Sequence, residues 1–438
     1  MGESSNVKVA VVGAGFTGLS IAYELAKKGI NVSVLEAEAQ VGGLASSFDF
    51  RGEKLERFYH HWFTNDLDLM HLIDELGLKE FVVINETKTG VYCSNKFFKL
   101  SSPWELLTFT PLPFIDRINL AILTFRARML KNWKELEKIT AREWLQEMGG
   151  EKLYRIIWEP LLKGKFGSYS DDISAVWIWN KIKLRGASRS KSGKELLFYI
   201  KGSFSAVAEA LANKICGFGG SISLKEPVKK IRPVSGKWEI TTSKGIVYAE
   251  HVAVTVAPLL IANMIEKWAS NSYVNALKRI KYLANVCLVL ELNQPLSDIY
   301  WLNVCDPTFP FVGVIEHTNF QTSEYYGGRH IVYLSKYLAH NDSIYMMDKD
   351  ELLDYAYPFL KQMFPKLNRS WIIRHYLWKA RWAQPVVEKN YGEIMLPLSP
   401  NKDGLYLCTM AQIYPEDRGT NYAIREGKYM ASLIAKNV

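Results

Sequence analysis

The sequence predicts an α/β fold that opens on a parallel strand–helix–strand unit. Three observations carry this. Residues 7–12 read VKVAVV, a short apolar run rich in β-branched side chains, as in a strand buried on both faces of a parallel sheet. The run leads straight into Gly13-Ala14-Gly15-Phe16-Thr17-Gly18, after which Leu19, Ala22, Leu25 and Ala26 fall on one helical face. Residues 31–35 (NVSVL) then read as a second strand, closing on Glu36.

Each glycine has a physical task in such a unit. Gly13 permits the tight turn, Gly15 lets the backbone approach a pyrophosphate, and Gly18 lets helix and strand pack closely. The helix N-terminus offers free N–H groups and a positive dipole end to phosphate. Glu36 stands where a carboxylate can accept from a ribose diol. The spacing therefore specifies a dinucleotide and leaves NAD and FAD both open.

Composition sets the outer bounds. A chain of 438 residues holds two or three domains' worth of core. Hydrophobic residues at 48% and charged residues at 23% are ordinary for a globular protein. The formal net charge is +9, but Lys and Arg are scattered without a run of five, which suits a solvated surface rather than a nucleic-acid partner. Five widely spaced cysteines with no C-x-x-C pair argue against a zinc site or a disulfide framework. Reduced thiols fit the cytoplasm. The polar N-terminus lacks a secretion signal, and no stretch reaches the ~18 apolar residues of a membrane span.

A second glycine motif, Gly42-Gly43-Leu44-Ala45-Ser46-Ser47, follows Glu36-Ala37. With it, the sequence resembles the superfamily of FAD-dependent amine oxidases, protoporphyrinogen oxidases, phytoene desaturases and UDP-galactopyranose mutases. The resemblance implies FAD as cofactor, with the backbone at Gly42, Gly43 and Leu44 meeting its flavin end. Many amine oxidases carry Arg after the paired glycines; Leu44 is more like the desaturase and mutase branches.

The resemblance continues in separated blocks. Residues 200–231 bring the chain back to the FAD domain through an amphipathic helix (Phe204, Val207, Leu211, Ile215), a Gly-Gly turn and a strand. Backbone at the Val228 position touches adenine in relatives. A last strand at residues 405–408 and a helix at 421–434 would hold the ribityl chain and flavin ring, through Met410 and Asn421-Tyr422-Ala423. Thr409-Met410 replaces the family's Gly-acid pair, so the acid for the ribityl hydroxyls is either missing or supplied by Glu416 or Asp417. The expected architecture is a discontinuous Rossmann-type FAD-binding domain (1–95, 200–265, 396–438), a mixed-sheet substrate domain (266–395) and a helical lobe with substrate-side segments (96–199).

Candidate chemistry lies near the expected pocket. Residues 58–63 read FYHHWF, and a histidine in a similar segment of the mutases lies close to the flavin, aligned with His61. His60 and His61 are both candidates, since imidazole is readily tuned near neutral pH. Arg381, just before Trp382-Ala383-Gln384-Pro385, is a candidate clamp for an anionic substrate. Lys163, Lys165 and Arg185, with Trp158, Trp177 and Trp179, would line a pocket or simply form a helix core with a basic face. Glu316 and His317 are adjacent, so on a strand only one would face the ligand. The sheet lysine of monoamine-type oxidases has its approximate counterpart at Leu288, so simple amine oxidation is disfavoured.

The resemblance implies oxidation of a small organic substrate by hydride transfer to flavin N5, with the electron acceptor and oligomeric state unspecified. One alternative is a mutase-like reaction on a nucleotide sugar without net redox; another is a non-catalytic flavin scaffold. The Phe-, Leu- and Pro-rich stretch 97–125, including Trp104, Leu106, Leu107 and Phe109, is a candidate for peripheral membrane contact.

Overall fold

The computed structural model describes residues 5–99, 105, 109–187, 195–306, 308–398 and 404–438. The chain opens with β1 (Ser5–Val12), α1 (Phe16–Ala26) and β2 (Val32–Leu35). Then come β3 (Ser47–Phe50), β4 (Glu53–Glu56), β5 (Trp62–Phe63), α2 (Leu67–Glu75), β6 (Val82–Thr87), β7 (Thr89–Cys93) and β8 (Lys96–Lys99). A helical stretch includes α3 (Phe114–Met129), α4 (Ala141–Gly149), α5 (Glu159–Phe166) and α6 (Ala175–Ala187). The chain returns through β9 (Glu195–Ile200), α7 (Ser203–Gly217), β10 (Ser221–Ser223), β11 (Val228–Val234), β12 (Lys237–Thr242), β13 (Ile246–Val254), α8 (Pro258–Ile265) and α9 (Asn271–Arg279). It continues with β14 (Tyr282–Leu292), β15 (Trp301–Val304), β16 (Gly313–Glu316), β17 (His330–Leu338), α10 (Lys349–Met363) and β18 (Ile372–Pro385), and ends with β19 (Leu405–Leu407) and α11 (Thr420–Ala435).

Three separated segments build the first sheet. Its parallel part runs β10-β2-β1-β13, with β19 also beside β13; β12 and β11 extend it antiparallel. Every β2 side chain is buried, as is β1 from Val9 to Val12, because helices cover both faces of such a sheet. On one side α1 packs between α7 and α11. Gly427 of α11 allows this, since a Cβ there would lie 2.8 Å from the Thr17 carbonyl.

The second large sheet runs β18-β14-β17-β16-β15-β7-β8, antiparallel except where β15 meets β7. Its strands β14 to β18 fall within 266–395, where a mixed sheet is expected, but β8 is a correction: Lys96–Lys99, at the start of the segment expected as a helical lobe, pairs with β7 as an edge strand. One face packs toward the first sheet's helices through Cys287, Val289 and Tyr333. The other packs on α10 through Val286, Leu288 and Leu290. A helical lobe has its own core around Leu123, Trp144, Phe166 and Trp179, sharing Leu283 and Val386 with the sheet.

The cysteines form no disulfide. Among the described residues there is no His/Cys/Asp/Glu group suited to a metal, and no helix is long and apolar enough to cross a membrane.

Candidate active site

The nucleotide end is built by backbone. β1 passes into Gly13, whose φ of +103° suits glycine and whose N–H donates to the Leu35 carbonyl at 2.9 Å. A Cβ on Gly18 would stand 1.9 Å from the Gly13 carbonyl oxygen, so strand and helix close tightly only because it is absent. Gly15 caps α1 in extended conformation without a side-chain cap. A Cβ on Gly15 would meet nothing within 4 Å. Partly exposed Gly15 and Thr17 interrupt an otherwise buried run from Val9 to Ala22. The second glycine loop closes over the first: Gly42 N–H donates to the Ala14 carbonyl at 2.8 Å, and a Cβ on Gly43 would lie 3.1 Å from Gly15 Cα.

Two glycine loops thus wall an open cradle at an uncapped helix N-terminus, where Phe16 and Thr17 N–H groups lack intrahelical acceptors. That donor set suits a diphosphate. Beside it, Glu36 is buried and its carboxylate accepts from Ala14 N at 2.6 Å and Glu38 N at 2.8 Å. The next segment is stitched on by Glu226 N donating to the Glu36 carbonyl at 2.7 Å, which carries Val228 to the start of β11. These residues fit the adenosine diphosphate part of FAD.

At the other end, Gly419 precedes α11 and Ala423 N donates back to its carbonyl at 3.0 Å. The N–H groups of Thr420, Asn421 and Tyr422 are those left over at a helix start. Asn421 Oδ1 accepts from Leu69 N at 3.0 Å, tying α11 to α2. Met410 opens a single 3-10 turn. The expected acid for the ribityl chain is not available from the two residues named for it. Glu416 is held by Arg425 through bonds of 3.1 and 3.0 Å. Asp417 lies 2.6 Å from Lys181 Nζ and accepts from Gln384 Nε2 at 3.0 Å. Burial opposes its ionisation, but Lys181, Lys165 and Arg418 overcome this and hold the carboxyl well below the usual range.

His60 and His61 lie in the loop between β4 and β5. His60 Nδ1 sits 2.5 Å from the Phe58 carbonyl. A carbonyl only accepts, so Nδ1 carries the hydrogen and Nε2 keeps a bare lone pair. Burial pushes the His60 pKa down to about 4, with a smaller push from the Arg418 charge. His61 Nδ1 pairs with the Tyr300 hydroxyl at 2.9 Å and its ring lies edge-on to Trp301.

Other expected site residues lie elsewhere. Arg381 is solvent-exposed, 3.4 Å from His340 and stacked on Trp382. On β18, Tyr376 and Trp378 face inward onto Phe48, whereas Leu377 joins the outer core and Lys379 bonds the Met347 carbonyl. Strand alternation thus turns 377, 379 and 381 away from the site. Leu288 likewise faces α10, while its neighbour Cys287 faces inward. Lys163 forms an i,i+4 pair with Glu159 on the surface. Glu316 and His317 are both structural. The Glu316 carboxylate accepts from Leu296 N at 2.9 Å and Ser297 N at 2.8 Å, and His317 Nε2 pairs with the buried Tyr326 hydroxyl at 2.8 Å. The Arg185 side chain lies outside the described residues, as do Trp104, Leu106 and Leu107.

A model of the family described as flavin-containing amine oxidoreductase matches residues 16–435. The chain belongs to this family. Protoporphyrinogen oxidase 2, chloroplastic/mitochondrial, of Arabidopsis thaliana is 26% identical over 235 residues, covering 50% of this chain and 45% of the relative. A crystal structure from Exiguobacterium sp. 255-15, provisionally assigned as a protoporphyrinogen oxidase, superposes with a TM-score of 0.79 at 17% identity over 100% of both chains. Reduced UDP-galactopyranose mutase superposes with a TM-score of 0.75 at 15% identity, covering 99% of this chain and 96% of that one. At these identities the two structures show the fold alone. The chain spans about half the length of the curated relatives it matches.

Membership in the flavin-containing amine oxidoreductases makes FAD the cofactor. Arg418 and Lys181 of this flavin-containing oxidoreductase escape the sequence reading. Lys181 stands one helical turn after Trp177, a spacing that sequence alone shows as readily for a surface lysine. Arg418 lies in a polar loop, two residues before α11.

Proposed function

We propose that the protein oxidises a small organic substrate with FAD held at Gly13, Ala14, Gly15, Phe16, Thr17, Gly18, Glu36 and Ala37, the 42–44 loop, Val228, Met410 and the 421–423 helix start. The observation that carries this is the open, glycine-walled cradle at Gly15, pressed against Gly43 and clamped beside Glu36. When bound, FAD supplies the oxidant, accepting two electrons and a proton from the substrate at N5. The chain supplies binding and position. The α1 N-terminus holds the diphosphate, the Glu36 carboxylate the ribose, and the α11 N-terminus the electron-rich edge of the ring. His60, held neutral by burial, can offer its Nε2 lone pair as a hydrogen-bond acceptor to the substrate, while the aromatic wall of Tyr59, Trp301 and Tyr300 excludes water. The test is anaerobic stopped-flow bleaching of the flavin by candidate donors. If the flavin-loaded protein is bleached by no donor, the oxidative reading fails and a scaffold role stands in its place.

A mutase-like reaction on a nucleotide sugar is the second reading. The observation favouring it is the Arg418 guanidinium, held by Gln384 and Tyr337 with its charge felt at His60. It requires nucleotide-sugar binding that depends on the flavin's redox state; equal, negligible binding in both states removes it.

We also infer peripheral contact with an anionic membrane, through the later part of the stretch 97–125 and the end of the helix that it enters. Phe97 packs on Phe364 and Phe109 is buried against Phe98. Instead α3 exposes Phe114 (63%), Ile115 (69%), Phe125 (65%) and Met129 (62%), with Ile118 and Ile122 on the same stripe. Its other face, Leu120, Leu123 and Ala127, enters the lobe core. Arg117, Arg126 and Arg128 against the lone Asp116 give the helix a positive balance that complements anionic headgroups.

A further inference from the structure

We propose that Cys93 and Cys305 form a site of reversible oxidative modification, a thiol pair that a hydroperoxide closes to a disulfide across two strands of the mixed sheet. The site goes beyond the flavin chemistry and does not depend on it.

The sheet itself brings the two sulfurs together. Cys93 ends β7, and Cys305 directly follows β15. These strands run parallel, with Asn303 opposite Val91 and Val304 opposite Tyr92. The Cys305 N–H then donates to the Tyr92 carbonyl at 3.0 Å, so the pairing continues and sets Cys305 beside Cys93. Tyr92 and Val304 both enter the core that packs on α10. Strand alternation therefore turns both cysteines to the opposite face, side by side. Neighbouring strands lie about 4.8 Å apart, within the roughly 4.4–6.8 Å between Cα atoms that a disulfide spans. The two thiols already hydrogen-bond one another.

The pair is unequal in a way that suits redox chemistry. Cys93 is partly exposed, whereas Cys305 is 7% exposed. The Cys305 thiol donates to Cys93 and draws its pKa below the ordinary thiol range, against burial and the Asp306 charge; the Ser94 hydroxyl, 3.8 Å away, adds to the effect. The same hydrogen bond, together with burial, raises Cys305. Cys93 is thus the reachable thiolate, and Cys305 the sheltered thiol that keeps its proton. Thiolate character, access and a resolving thiol in contact are the properties of cysteines that respond to peroxide. The remaining thiols lack that combination. Cys287 and Cys408 are buried with their pKa pushed up, and Cys216 is an exposed thiol on α7.

The oxidation balances in two steps. The Cys93 thiolate attacks one oxygen of the hydroperoxide. The S–O bond forms as the O–O bond breaks, sulfur gives two electrons to the peroxide, and the departing alkoxide or hydroxide takes a proton from solvent. The Cys305 sulfur then attacks the sulfenic sulfur of Cys93. The S–S bond forms, the S–O bond breaks, and hydroxide leaves with the Cys305 proton as water. The disulfide ties β7 to β15, and a dithiol reductant restores both thiols.

The test treats the FAD-loaded protein with equimolar hydrogen peroxide at pH 7 and reads non-reduced peptides by mass spectrometry. A linked Cys93–Cys305 peptide is expected, with the thiols titratable after unfolding reduced by two and restored by dithiothreitol. Cys305→Ser keeps a hydroxyl donor beside Cys93, so there Cys93 should hold a sulfenic acid that dimedone captures at least tenfold faster than at Cys216. In Cys93→Ser the linked peptide and any dimedone label at Cys305 should both be lost. Should the buried Cys305→Ser fail to fold, the linked peptide in the parent and its loss in Cys93→Ser carry the test. Absence of the linked peptide, or oxidation of Cys93 no faster than of Cys216, overturns the pair. A link whose yield grows with protein concentration joins two chains instead of two strands, and overturns it equally.

Discussion

Gly15 and Gly18, three residues apart in sequence, should respond differently to one added methyl. At Gly15 the backbone has φ −72° and ψ 174°, a conformation any residue adopts, and a Cβ there would meet nothing within 4 Å. Gly15→Ala in the flavin-free protein therefore gains about 0.4–1 kcal/mol from reduced freedom of the unfolded chain, and loses a similar amount because alanine is the poorer N-cap. The net effect on apoprotein stability is close to zero. The methyl enters the space where the diphosphate must approach, and losing one charge-assisted N–H bond costs about 1.5–3 kcal/mol, or roughly 10- to 150-fold in affinity. At Gly18 the same methyl lies 1.9 Å from the Gly13 carbonyl oxygen. Backbone must move, at about 3 kcal/mol or more, and the fold should suffer with or without flavin. The assay is FAD titration of stripped protein followed by fluorescence quenching, with circular-dichroism melting of each apoprotein. If Gly15→Ala binds FAD within twofold of the parent, the diphosphate is not where the cradle puts it and the reasoning fails.

Three further outcomes follow from particular groups. Glu56 is fully buried, accepting from Tyr199 Oη at 2.7 Å and Phe204 N at 2.9 Å, and burial raises its pKa from 4.5 to about 7. A carboxyl with a raised folded pKa stabilises the fold below pH 4.5 and loses that contribution as pH rises through 7, a swing of about 3 kcal/mol at 1.36 kcal/mol per unit. Urea denaturation at pH 5 and pH 8 should show this loss, and Glu56→Gln should flatten it; an unchanged slope would assign the pH dependence elsewhere. The Cys93 thiol is drawn down to about 6, first by the hydrogen bond from Cys305, while burial pushes Cys287 and Cys408 up. Iodoacetamide at pH 7, read by peptide mass spectrometry, should label Cys93 well before those two, and equal labelling would contradict the assigned environments. On α3, replacing Phe114 or Phe125 by Ser should each reduce flotation with phosphatidylserine vesicles about fivefold or more, taking roughly 1 kcal/mol as the share of a partly inserted aromatic; absence of flotation by the parent protein ends the membrane reading.

The difference between what the sequence discloses and what it hides follows from the range over which each feature is determined. The strand, glycine turn, helix and second strand of the first 36 residues are local: Gly18 is required by a contact with Gly13, five residues away, and Gly13 by its own positive φ. Facing along a strand is less secure, because an offset of one residue exchanges the two sides of a sheet. That is why Leu288 stands for a site position when the inward residue is Cys287, and why Arg381 lies outside on a strand whose pairing with β14 is irregular between Leu283 and Asn285. The cation cluster around Asp417 lies at the far limit of legibility. Lys165, Lys181, Tyr337, Gln384 and Arg418 come from five elements or loops spread over 254 positions of chain, and no spacing records that Trp177 will place its ring under two of the lysines. A basic loop residue is read as solvated by default, since most are. What reverses that reading for Arg418 is tertiary: the sheet supplies Gln384 and Tyr337 to fix the guanidinium, and the lobe brings further positive charge against it. The glycine cradle is thus written in local backbone chemistry, whereas the surroundings of Arg418 depend on how the layers dock.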